Sequence, residues 1–179
     1  MPVNPDEPAP SAWVTRFGGR IAAGSTILDV ACGSGRHANW FAAHGFEVNA
    51  VDRDPQSKLS AQIAFKQADI EKDAWPYPGQ SFAGVIVTNY LHRPLLETLV
   101  HTVAPGGWLI YETFAAGNEK YGRPSRADFL LQPGELLDTV CGRLYVVAYE
   151  NDYVDQPRPA VVQRIAARFG APPDTHGTP

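Results

Sequence analysis

The sequence is notable first for what it lacks. No run of lysine or arginine occurs anywhere, and 15 basic side chains face 19 acidic ones for a formal net charge of −4. A sequence-independent grip on a phosphate backbone therefore does not fit as the main task, and no nucleic-acid partner is expected. Cysteine is scarce, with only Cys32 and Cys141, so there is no disulfide framework. A reduced, cytoplasmic setting is the expectation, with a single disulfide left open. No apolar run reaches the roughly 18–20 residues that span a bilayer. The opening residues, MPVNPDEPAP, offer neither a positive segment nor an apolar core, so they do not read as a secretory signal. Charged residues make up only 19%, against 44% hydrophobic, which is globular composition and excludes a largely disordered chain.

At 179 residues the chain suits one domain, expected over residues 11–170. The proline-rich ends, residues 1–10 and 171–179, are expected to be flexible tails. Between them, strand-like and helix-like segments alternate. Short apolar runs at 26–31, 46–51, 64–68, 82–88 and 108–113 read as strands. Helices are expected over 11–23, 36–44, 55–63, 94–103 and 132–140, with Asp54 as an N-cap and Pro55 in the first turn of the third. The segments 143–150 and 160–168 read as two final strands able to pair antiparallel. Five β–α alternations and doubly apolar strands such as VIV imply an α/β fold. Its expected form is a Rossmann-like, doubly wound, mostly parallel sheet of about seven strands, the last one antiparallel. On such a sheet ligands sit at the carboxyl ends of the strands, near the topological switch point.

The residues that follow the strands fit that rule. After the first comes Asp29-Val30-Ala31-Cys32-Gly33-Ser34-Gly35-Arg36-His37-Ala38. Its small residues let a backbone approach a ligand, and the helix start beyond them offers free N–H groups. After the second strand stands Asp52, placed to accept both hydroxyls of a ribose, and after the third stands Asp69, placed to accept from an adenine amine. Gly33-x-Gly35-x-x-Ala38 with Asp52 also matches, loosely, a nicotinamide-dinucleotide fingerprint, which leaves an NAD(P)-dependent oxidoreductase as one alternative. A non-catalytic cofactor-binding module is another.

In order and spacing, LDVACGSGRHA, VDRDP, ADIE, FAGVIVTNYLH and LVHTVAPGGWLIYET resemble the successive motifs of the class I S-adenosylmethionine-dependent methyltransferases. The resemblance runs over about residues 25–170, with Ala31 standing where the family usually has the first glycine of Gly-x-Gly-x-Gly. More loosely, GSGRHANWFA and FLLQPGELLD resemble small tellurite-resistance-type methyltransferases. The resemblance implies S-adenosylmethionine as cofactor, S-adenosylhomocysteine as product, no metal, and a small-molecule acceptor, anionic or metalloid in one reading. It implies that Asp29, Ala31, Gly33, Gly35 and Arg36 meet the methionine end of the cofactor. Asp52 would hold the ribose, Arg53 would flank the adenine, Asp69 and Ile70 would face the adenine edge, and Asn89 would lie near the methyl.

Tyr90 and His92, at the end of the fourth strand, are the candidate catalytic residues. For the acceptor the candidates are His37, Arg93 and four residues of the long 114–131 loop: Phe114, Tyr121, Arg123 and Arg126. Each also has a plainer reading, as a turn histidine or a solvated arginine. Trp13 and Phe17 are read either as a cap on the pocket or as core. The fourth-strand end, Thr-Asn-Tyr-Leu, is not the Asn/Asp-Pro-Pro-Tyr signature of amino-group methylation on bases, glutamine or protein termini. Oligomeric state is not legible.

Overall fold

The computed structural model describes residues 9–55 and 58–170. The expected tails therefore lie outside the described residues, save for Ala9 and Pro10. Seven strands form one sheet: β1 (Thr26–Val30), β2 (Glu47–Asp52), β3 (Ala64–Gln67), β4 (Phe82–Thr88), β5 (Val103–Phe114), β6 (Tyr145–Val154) and β7 (Ala160–Arg168). Their order is β3-β2-β1-β4-β5-β7-β6. The first five run parallel, with Leu28 opposite Asn49 on one side and Val85 on the other. β7 lies antiparallel to both β5 and β6. The expected α/β sheet with an antiparallel last strand is thus the fold, and its switch point falls between β1 and β4.

Burial on both faces explains the unbroken apolar strands: Ile27, Leu28, Val85, Ile86 and Val87 are all inaccessible to solvent. Helices α1 (Ala12–Gly18) and α2 (Arg36–Ala43) cover one face, where Trp13, Phe17 and Phe41 pack on Ile27, Ile86 and Ile110. Ser11 caps α1 by accepting from the Trp13 N–H. Gly84 has no Cβ because Ile21 and Ile27 occupy that space. Helices α3 (Leu96–His101) and α4 (Glu135–Val140) cover the other face, setting Leu99, Leu136 and Val140 against Val85, Leu109 and Ile165. α3 is shorter than the sequence suggests, since Pro94 opens a 3₁₀ turn at Arg93–Leu95 first. β5 begins at Val103, ahead of the strand expected over 108–113, and takes in the Ala104–Gly107 stretch.

The helix expected over 55–63 does not form: residues 58–63 are bends and turns, and 56–57 lie outside the described residues. Side chains of α2 take over the backbone groups that a helix would need. The Asn39 amide donates to the Lys58 carbonyl (3.0 Å) and accepts from the Ser60 N–H (2.9 Å). Gln62 donates back to the Ala42 carbonyl. The segment becomes a strap across α2, with Leu59 lying where a Gly35 side chain would project. No helix covers the β3–β4 connection either. Tyr77 fills that gap, buried against Trp75 and Phe82, with its hydroxyl donating to the Ala50 carbonyl.

Candidate functional site

A cleft of about 830 Å³ opens across the carboxyl ends of β1, β2, β4 and β5. Its floor is the turn after β1. Ala31 (φ 51°) and Gly33 (φ 53°) both adopt left-handed backbone there, and a Cβ on Gly33 would meet only open space. Ala31 is the non-glycine residue of this turn that holds a positive φ, a conformation that favours glycine. Asp52 is locked against this turn. Its carboxylate accepts from the Gly33 N–H (2.8 Å) and the Asp54 N–H (3.0 Å). Each oxygen keeps a lone pair for a further donor. Arg53 stands beside it, 3.8 Å from Asp54.

The next wall comes from the segment after β3. Asp69 accepts from the Glu71 N–H and from Lys72 (2.9 Å), and those bonds hold its carboxyl below the usual range. Ile70 and Glu71 complete this side. The β4 end supplies Asn89 (φ 54°), Tyr90 and Leu91. Among the described residues the Tyr90 hydroxyl has no hydrogen-bond partner although it is shielded from solvent. Burial, and then the Glu71 carboxylate, push its pKa well above the ordinary tyrosine value. It is therefore a neutral hydroxyl beside the Glu71 carboxylate, not a base. The last wall is apolar: Thr113 and Phe114 from the end of β5, then Pro124 and Phe129 from the loop beyond.

The expected cofactor residues divide. Ala31, Gly33, Asp52, Arg53, Asp69, Ile70 and Asn89 line the cleft together. Asp29, Gly35 and Arg36 stand behind it. Asp29 is buried and accepts from the Ala38 N–H (3.0 Å), and desolvation raises its pKa to about 7. Gly35 (φ 79°) begins α2, and Arg36 donates to the Ala9 carbonyl.

Of the candidate catalytic pair, Tyr90 lines the cleft and His92 does not; the His92 carbonyl instead anchors the 3₁₀ turn at Leu95. Of the acceptor candidates only Phe114 is on the wall. His37 is buried with both ring nitrogens in use: Nε2 accepts from the Ser11 N–H and Nδ1 faces the Thr88 hydroxyl. Burial lowers its pKa to about 3, so it is a neutral tie between α2, β4 and the N-terminal segment. Arg93 is consumed as a clamp. It pairs with both oxygens of Glu135 (2.7 and 3.0 Å) and donates to the Asp128 and Leu130 carbonyls. Arg126 pairs with Asp128, and Tyr121 stacks on Tyr153 outside the cleft. Trp13 is core, donating to the Ile165 carbonyl.

Sequence reasoning missed Ser34, Glu71, Thr113 and Pro124. Thr113 and Glu71 follow the rule that located Asp69, being at or just past strand ends. Pro124 carries no signal in the sequence that separates it from its loop neighbours, whereas Phe129 belongs to the aromatic residues of the 114–131 loop.

The sequence matches a family described as a methyltransferase domain over residues 6–145. It is 30% identical to the ubiquinone biosynthesis O-methyltransferase of Chromobacterium violaceum over 112 residues, 55% of this chain and 48% of that protein. It is 24% identical to the protein of the same name from Bordetella bronchiseptica over 125 residues, 63% of this chain and 52% of that one. The chain thus spans about half the length of these curated relatives. Among solved structures, TehB from Haemophilus influenzae superposes with a TM-score of 0.68 at 15% identity, covering 88% of this chain and 61% of that one. The Burkholderia thailandensis 1,6-didemethyltoxoflavin-N1-methyltransferase, solved with its namesake ligand and S-adenosylhomocysteine, gives 0.66 at 16% identity, covering 89% and 77%. These two likenesses speak for the fold; the sequence match speaks for descent, and by it the chain belongs to the methyltransferase-domain family.

Proposed function

We propose that the chain transfers the methyl group of S-adenosylmethionine to a small-molecule acceptor, with S-adenosylhomocysteine as the other product. The observation that carries this is the Asp52 carboxylate, pinned by two backbone N–H groups at the edge of the open floor at Gly33. A carboxylate held that way is pre-set to accept ribose hydroxyls without reorganising. The Tyr90 hydroxyl, shielded from solvent beside Glu71, adds a neutral donor to the same cleft. The residues fit the cofactor: Ala31, Gly33 and Asn89 toward its methionine end, Asp69 and Ile70 toward the adenine.

When bound, S-adenosylmethionine supplies an activated methyl on a sulfonium. What remains for the chain is alignment, the removal of water, and a field that suits a cation. Asp52, Asp69 and Glu71 supply that field along one side of the cleft. Phe114, Phe129 and Leu91 exclude water from the other. Neither Tyr90 nor His92 supplies a general base here, because Tyr90 stays protonated and His92 lies off the cleft; the bases on the wall are its carboxylates. The scarcity of cysteine supports a cytoplasmic setting for this reaction.

Thermal unfolding with S-adenosylmethionine, S-adenosylhomocysteine and NADPH in parallel tests the reading. A native-state ligand at a hundredfold excess over its Kd adds roughly 2.7 kcal/mol, or roughly 5–10 °C for a chain of this size. A shift with the adenosyl ligands alone is expected. A shift with NADPH alone refutes the reading in favour of an oxidoreductase. Binding of the adenosyl ligands without turnover on any acceptor refutes the transferase step and leaves a cofactor-binding module.

A further inference from the structure

Charge sorts the two ends of the cleft. The inner side carries Asp52, Asp69 and Glu71. Near the outer wall the cations fall into two sets. Arg93 and Arg126 are neutralised by Glu135 and Asp128. Arg123 and Arg158 have no carboxylate within ion-pair distance among the described residues. Arg158 sits on the β6–β7 connection, yet it reaches back to this wall. Its guanidinium lies 5.5 Å over the ring of Phe114, and Nη2 donates to the Arg123 carbonyl (3.1 Å). Arg123 is followed by Pro124, itself on the wall. One exposed guanidinium without a carboxylate partner, that of Arg158, is thus held over Phe114 by the Arg123 backbone, beside the apolar face made by Phe114 and Phe129.

We propose that the acceptor is a planar aromatic acid, its ring against Phe114 and Phe129 and its anionic group at Arg158. The proposal rests on the methyltransferase reading and narrows its acceptor. A flat ring gains most from a wall of aromatic faces. An anion is repelled by the inner carboxylates and attracted to Arg158, so it settles with its acidic group outward. The opposite end of the ring then points inward, where a cationic cofactor would present its methyl. A guanidinium offers a planar fork that matches a carboxylate or a phosphate monoester equally. A bare metalloid oxyanion would use Arg158 but leave the aromatic wall without a partner.

The test is titration calorimetry on the full chain saturated with S-adenosylhomocysteine. The probes are 4-hydroxybenzoate, 3,4-dihydroxybenzoate, the neutral amide of each, phenyl phosphate and selenite. At low salt at least one carboxylate probe is expected to bind about tenfold more tightly than its amide, with the gap narrowing as salt is added. Arg158→Gln is expected to remove that gap, Arg158→Lys to keep part of it, and both to leave S-adenosylhomocysteine affinity and amide affinity unchanged. Phenyl phosphate binding with the carboxylates silent identifies a phosphate ester as the acid and supports the same site. Acid and amide binding alike, a gap that survives Arg158→Gln, selenite binding in preference to every aromatic probe, or no probe binding to the loaded protein each overturns the proposal while leaving the cofactor reading intact. Failure of S-adenosylhomocysteine itself to bind removes the methyltransferase reading, and the acceptor proposal with it.

Discussion

Asp29 and His37 sit eight positions apart at the root of the site, are each 1% exposed, and titrate in opposite senses on folding. Desolvation raises Asp29 from 3.8 to about 7, so between those values the folded state holds a proton that the unfolded state has lost. Stability from this group is full below 3.8 and is lost as pH rises toward 7. Desolvation lowers His37 from 6.5 to about 3, so there the unfolded state holds the extra proton. Stability from His37 is full above 6.5 and is lost as pH falls toward 3. Each proton is worth about 1.4 kcal/mol per pH unit. Between roughly pH 4 and 6.5 the two slopes cancel, so in the wild type the pair is silent.

Substitution unmasks them. Asp29→Asn keeps an acceptor for the Ala38 N–H but removes the carboxyl, so relative to wild type its stability should climb with pH by up to about 3 kcal/mol across that window. His37→Gln should do the reverse, losing a similar amount as pH rises. Urea unfolding at half-unit pH steps, with each variant subtracted from wild type, cancels the background from the surface carboxylates. Parallel curves for wild type and Asp29→Asn would refute the argument, since they would mean that Asp29 is ionised, or equally protonated, in both states.

Other expectations follow from single contacts. Asp52→Asn should weaken S-adenosylhomocysteine binding about 10- to 100-fold in calorimetry, the loss of a charge-assisted ribose contact, and should cost about 1 kcal/mol of stability because the amide keeps only one of the two N–H contacts. Gly35→Ala should lower stability by about 1–3 kcal/mol in denaturant titration, because φ 79° disfavours a side chain and a Cβ would overlap Leu59. Arg93→Gln should cost about 1–2 kcal/mol after allowance for its partial exposure, and should speed amide exchange at Phe129 and Leu130, whose loop it clamps.

How far the sequence revealed the molecule depends on where each residue finds its partner. β1 and β4 were legible because TILDV and FAGVIVT are buried on both faces, and that is written in their composition; β2 shows it only at Val48, Ala50 and Val51. Asp52 and Asp69 were legible because a strand end fixes a residue's place in the sheet. The 55–63 helix was misread because its local signals, Asp54 and Pro55, are overridden by hydrogen bonds from Asn39 and Gln62 that no local pattern announces. His37 and Arg93 were misread as acceptor contacts for the same reason. Their partners, the Ser11 N–H and Glu135, come from other parts of the chain and spend the very groups that made them candidates.

The bare crossovers around β3 give the sheet two unequal halves. β4, β5 and β7 carry helices that bury them, whereas β3 is four residues long, largely exposed, and held by one neighbour, a strap and the Tyr77 plug. Opening of β3 therefore exposes little apolar surface and is a low-cost partial unfolding. Asp69 hangs from that weak half while Asp52 belongs to the strong one. A nucleoside gripped by both would act as a rivet between them, so that occupancy should register in hydrogen exchange as slowed opening of 64–73 while the β5–β7 core keeps its unliganded rates.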